Sequence, residues 1–268
     1  MPPLPGHHRH RCHRPVMAAV FALCTGIGTA QAQTQTQTQN AADAPPAFTL
    51  DSNLALTSQY VFRGINYSQE KPAIQGGFDL AHTSGAYLGV WASSLSSDAI
   101  AGATVELDVY GGYARNVGDV AYDLGLLRFG YPGARLAGES YNTVEAYASV
   151  GWKWLTFKYS HTLTDYFAMN AASMGHGDDS KGSGYIEANL AIALAQGWAI
   201  DLHAGHQRVQ DYGAYDFSDY KAQVSKGFDG GWTVALAVTG TNADRALYRI
   251  GHVDTSASRW LVTLSRRF

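Results

Sequence analysis

The chain has 268 residues, 46% of them hydrophobic, with 19 basic against 22 acidic side chains and a formal charge of −3. The acidic balance argues against nucleic acid as a partner, and no long apolar run follows residue 32, which excludes a helical membrane protein. Sixteen tyrosines and 29 glycines with only 8 prolines suit a β-barrel, whose strands do not score as hydrophobic on a sliding window because alternate side chains are polar.

Residues 1–32 read as a secretory leader. His7, His8, Arg9, His10, Arg11, His13 and Arg14 form a basic start, Pro15 to Ile27 is apolar but too short to span a bilayer, and Ala30-Gln31-Ala32 offers a cleavage site. Met17 is an alternative start, but it forfeits the basic stretch. Cys24 raises a lipidated alternative, but Leu23 stands where a small residue is needed. Both cysteines, Cys12 and Cys24, leave with the leader, so no disulfide is expected. Loss of Arg9, Arg11 and Arg14 deepens the acidic excess. Residues 33–47, a Gln-Thr repeat and then Ala-Ala-Asp-Ala-Pro-Pro, are too poor in apolar side chains to fold and are expected as a disordered periplasmic lead-in.

The barrel is expected over 48–268. In 48–62 the even positions are mostly apolar and the odd positions mostly polar, with aromatics at Phe48 and at Tyr60 and Phe62 flanking the aliphatics. Further strands are expected at 72–81, 86–95, 104–114, 120–130, 142–151, 154–165, 184–195, 198–210, 219–227, 232–241 and 259–268. Val105, Leu107 and Val109 oppose Glu106 and Asp108, for instance, while 86–95 is ambiguous because Tyr87/Trp91 and Leu88/Val90 are both apolar. The connections alternate long and short throughout, as in outer-membrane barrels with short periplasmic turns and long outer loops. The fold class is therefore all-β: a single transmembrane antiparallel barrel of twelve strands (range ten to fourteen). Trp260, Val262, Leu264 and Phe268 alternate up to a terminal aromatic, the address expected to be read by the outer-membrane assembly machinery. Arg266 breaks that parity where a long side chain snorkels to the interface.

Four runs carry a resemblance: Tyr60 to Ile65, Lys71 to Gly76, Gly89 to Ser93 and Glu106 to Asp108. With these, the first third of the barrel resembles the TorF-type family, proteobacterial outer-membrane β-barrel proteins described as porins. The chain departs from that pattern at Asn66-Tyr67-Ser68-Gln69, where the family continues with Ser-Gln-Ser. The resemblance implies an outer-membrane barrel and a pore, and names no solute.

Inward parity places Asp51, Arg63, Asp79, Glu106, Asp108, Asp123, Glu145, Lys158, Glu187, Asp201, His203 and Lys221 on the lumen side, as pore-lining candidates. Acids outnumber bases, which favours cations or neutral solutes if the lumen is open. If the charges pair across the barrel they plug it instead. Arg63 either contributes to a charged constriction or pairs with a wall carboxylate such as Asp79. For catalysis only Ser160-His161 and Asp201-x-His203 are local candidates. His161 shares the lipid-facing parity of Tyr159 and no activated serine accompanies Asp201 and His203, so no enzyme is expected. His176, Asp178 and Asp179 lie in a glycine-rich loop that reads as solvated rather than metal-binding. Neither cofactor nor metal is expected. The expected function is passive diffusion of small hydrophilic solutes across the outer membrane, in contact with its lipids. The alternative is a closed barrel that binds through its outer loops at 166–183 and 242–258.

Overall fold

A computed structural model describes residues 46–268. The leader assigned to 1–32, and the lead-in up to residue 45, lie outside the described residues.

Twelve strands close into one barrel: β1 (Phe48–Thr57), β2 (Ala73–His82), β3 (Ala86–Ser94), β4 (Val105–Val117), β5 (Val120–Phe129), β6 (Thr143–Trp152), β7 (Leu155–Thr162), β8 (Gly184–Ala193), β9 (Trp198–Arg208), β10 (Phe217–Gly227), β11 (Trp232–Thr241) and β12 (Arg259–Arg267). Each pairs antiparallel with its neighbours in sequence, and β1 closes on β12 with Asn53 opposite Arg267 and Thr57 opposite Thr263. The strands need no edge protection, because closure leaves no free edge. At one end the connections are tight turns such as 118–119, where Gly118 takes φ +62. At the other they are long and carry small hairpins (Arg135–Leu136 with Glu139–Ser140, and Arg249–Ile250 with Val253–Asp254) and one helical turn, Ala171–Met174.

The period-2 pattern decides what faces out. Every strand exposes alternate large apolar side chains: Leu50, Leu54 and Leu56 on β1, Leu88 and Val90 on β3, Val105, Leu107 and Val109 on β4, Val234 and Leu236 on β11. So continuous an apolar exterior is stable only against lipid. The ambiguous third strand is thereby settled, since Tyr87 and Trp91 are buried inside. At the short-turn end Trp152, Trp154, Trp198, Trp232 and Phe268 form a girdle. Cations lie over it: Lys153 at 4.5 Å from the Trp152 ring, and Arg266 at 5.3 Å from Trp232 and 4.6 Å from Phe268. Arg266 thus lies over aromatic rings at the short-turn end.

One boundary is corrected. The first strand ends at Thr57, not at residue 62. The Ser58 amide still donates to the Val262 carbonyl (2.8 Å), after which the chain turns into the barrel. Val61–Phe62 then pairs with Ile65–Asn66 in a hairpin. Tyr60 and Phe62, expected as lipid-facing aromatics, are only 1% and 6% exposed. The cause is a better partner inside: Phe62 packs edge-on against Phe129 (5.4 Å between centroids) and Tyr60 tilts against Trp91 (5.6 Å). Arg63 (φ +46) and Gly64 (φ +77) form the tip. A Cβ on Gly64 would fall 2.7 Å from Thr241 Cβ and 2.8 Å from Asp219 Cβ, so the tip presses on the wall of β10 and β11.

Candidate functional site

The interior is divided between two halves. Along β2–β6 side chains occupy its middle, and a recess lined by Ala81, Tyr87 and Ala114 opens at the short-turn end. Inward tyrosines lie over glycines of the adjacent strand: Tyr87 over Gly112, Tyr110 over Gly89, Tyr147 over Gly125. Without a Cβ beneath them the rings lie flat on the wall; the Tyr87 and Tyr110 hydroxyls reach inward acids, and the Tyr147 hydroxyl meets that of Tyr87. Tyr87 donates to Asp123 Oδ1 (2.6 Å), Tyr60 to Glu106 Oε2 (2.9 Å), and Tyr110 to Asp79. Glu106 and Asp108 are buried in this half, and among the described residues neither forms an ion pair. Asp79, Glu106 and Asp123 thus meet phenols rather than lysines.

Arg63 spans the two halves. Its Nη1 and Nη2 donate to the two carboxylate oxygens of Glu145 on β6 (2.9 and 2.8 Å), and Nη1 also donates to Gln207 Oε1 on β9 (2.9 Å). The guanidinium lies 4.0 Å from the centroid of Tyr185 on β8. This bidentate clasp, almost wholly buried on both sides, fixes the hairpin across the mouth. The suggested partner Asp79 is not the one used. It lies six residues, roughly 20 Å of strand, below the outer end of β2 and opposite Asp51, out of reach of an arginine at the mouth.

Along β7–β12 the interior stays open. A cavity of about 210 Å³ lies beneath the hairpin, lined by Arg63, Lys158, Glu187, Asp201, His203 and Lys221 of the expected residues. The remaining candidates, Asp51, Asp79, Glu106, Asp108, Asp123 and Glu145, do not line it. Asp201 and His203 do not act as a pair. Asp201 accepts from Gln223 (3.0 Å), whereas His203 faces Asp219 Oδ2 with Nε2 (3.0 Å) and Asn189 Oδ1 with Nδ1 (2.7 Å). Tyr185 donates to Asp219 Oδ1 (2.8 Å). Asp219 was missed because it sits at the presumed start of its strand, although the parity of Lys221 marks it as inward. The charges lining the cavity are therefore Glu187, Asp201 and Asp219 against Arg63, Lys158 and Lys221, with His203 beside them. This near-equality replaces the acidic excess counted from parity alone.

Ser160 is buried and His161 exposed, so these neighbours occupy opposite faces of the wall and do not meet. His161 lies beside the Tyr159 ring (6.2 Å), as its lipid-facing parity implied. The carbonyls of His176 and Asp178 accept from the Tyr212 hydroxyl (2.9 and 2.8 Å), and among the described residues no cluster of His, Cys, Asp or Glu has the makings of a metal site.

A model of the family described as "Bacterial protein of unknown function (Gcw_chp)" matches residues 40–268. No curated protein matches the sequence. Among solved structures, the NanC porin aligns with a TM-score of 0.54 at 12% identity, over 81% of this chain and 98% of that one. The KdgM porin aligns with a TM-score of 0.51 at 10% identity, over 82% and 98%, and KdgM in complex with disordered oligogalacturonate aligns at 0.50 and 10%, over the same shares. At such identities the likeness is one of fold: the neighbours are porins, and the fold of this barrel resembles theirs.

Proposed function

The chain belongs to the Gcw_chp family, and from that premise and the lumen geometry we propose that it is an outer-membrane porin passing small hydrophilic solutes by passive diffusion. The carrying observation is the polar cavity of about 210 Å³ kept along β7–β12 and lined by charges of both signs. A barrel with a purely structural role gains nothing by leaving charged side chains around an unfilled lumen, since burying charge without full pairing is costly. Selection would come from width at the Arg63–Glu145 clasp and only weakly from charge. The KdgM complex names an acidic oligosaccharide for that protein. This lumen has no cationic excess, so that solute is not carried over. Fold likeness to porins and the resemblance to TorF-type sequences both support the pore, and neither calls for catalysis. Phe268, at the end of β12, would serve as the assembly signal.

A second reading is favoured by the hairpin at the mouth: a closed barrel that binds through its outer loops. Liposome swelling separates the two. Vesicles carrying the inserted full-length protein are expected to swell in monosaccharides and progressively less in larger sugars. No swelling in any sugar would favour the closed barrel.

A further inference from the structure

All six outer loops converge on a second cavity, of about 230 Å³, outside the clasp. Its wall is apolar and rich in rings, among them Phe62, Tyr67, Phe167, Phe217 and Tyr248. The rings brace one another, Phe217 against Tyr248 at 5.6 Å and Phe62 against Tyr67 at 5.9 Å. Arg63 is the one charged residue among those lining this chamber, and it lines the polar cavity beneath as well. A fully hydrated solute gains nothing from such a wall. An aromatic ring does, and an apolar cavity of about 150 Å³ already holds benzene. The larger volume here leaves room for one ring and a small substituent.

Two polar groups at this chamber have capacity to spare. A guanidinium carries five N–H donors, of which Glu145 and Gln207 take three and the Tyr166 hydroxyl a fourth, which leaves one. The Tyr67 hydroxyl makes no hydrogen bond among the described residues, and burial, followed by the nearby Tyr166 and Glu106, holds its pKa well above the ordinary value. It therefore stays a proton donor.

We infer that the outer chamber is a binding site for a small aromatic carboxylate, its ring among Phe62, Phe167 and Phe217 and its carboxylate on a spare Arg63 N–H and the Tyr67 hydroxyl. As the solute class of the pathway, this rests on the porin reading; as a binding site it is tested alone. The probe is benzoate, titrated into the full-length barrel in nanodiscs, with neutral benzamide as comparator. Benzoate is expected to bind saturably and about ten-fold more tightly than benzamide, because charge-assisted hydrogen bonds are the stronger kind. Tyr67→Phe is expected to weaken benzoate several-fold, and Ala99→Trp, which fills the chamber from its rim, to abolish binding. Absence of saturable binding by the folded barrel would overturn the inference, as would equal affinity for the two probes or binding indifferent to Ala99→Trp. Potassium chloride conductance on the same preparations tests the pore separately. Conductance without benzoate binding overturns this inference alone, whereas binding without conductance upholds the site and overturns the pore.

Discussion

Arg63 and Glu145 are almost fully withdrawn from solvent, and their bidentate geometry repays part of the desolvation that burial imposes. Removing one partner strands the other. Arg63→Met is expected to destabilise the barrel by about 3–5 kcal/mol, whereas Arg63→Met with Glu145→Leu is expected near wild type or above it. Urea unfolding in lipid vesicles reads both, and equal losses in the single and double variants would contradict the clasp. The inward place of Arg63 comes from the hairpin and not from parity, since β1 ends at Thr57 and Tyr60 and Phe62, of the opposite parity, turn inward as well. Parity gives a face of the wall, not a height along it, and only the inward fold of the hairpin brings Arg63 level with Glu145. Asp219 was legible in principle, from the parity it shares with Lys221, once its strand is carried two residues further to Phe217.

At the scale of the strands, the alternation of β4 or β11 was readable because lipid and lumen impose opposite chemistry on successive residues. The glycine–tyrosine pairs were not readable, since they depend on register between strands. Gly112 stands opposite Tyr87, and a Cβ there would meet the Leu124 carbonyl oxygen and come within 2.6 Å of the Tyr87 hydroxyl. Gly112→Ala is thus expected to cost about 1–3 kcal/mol by overpacking, lowering the urea midpoint. Gly151→Ala should cost less, its closest neighbour being Thr156 Oγ1 at 3.2 Å. Equal midpoints would mean that the tyrosine layer does not need the glycines. The end of β1 was misplaced for a related reason: Tyr60 and Phe62 continue the apolar parity of the wall, yet an interior already lined with Trp91 and Phe129 offers them better packing than lipid does.

At the scale of the molecule, closure, strand number and the alternation of turns and loops all follow from pattern, because each strand must satisfy its backbone against a neighbour inside the membrane. What pattern does not convey is how the lumen is divided. One half is sealed by tyrosines capping acids, while the other keeps a cavity with charges of both signs beneath a clasped hairpin. The central claim is that this second half conducts. Single-channel recording of the full-length protein in a planar bilayer tests it most directly. The account predicts steady ohmic steps with little preference between cation and anion, and a reversal potential that moves toward cations in Lys221→Gln, which removes one of the positive charges lining the cavity. Silence from protein shown to be folded and inserted, or selectivity unmoved by that substitution, would contradict it.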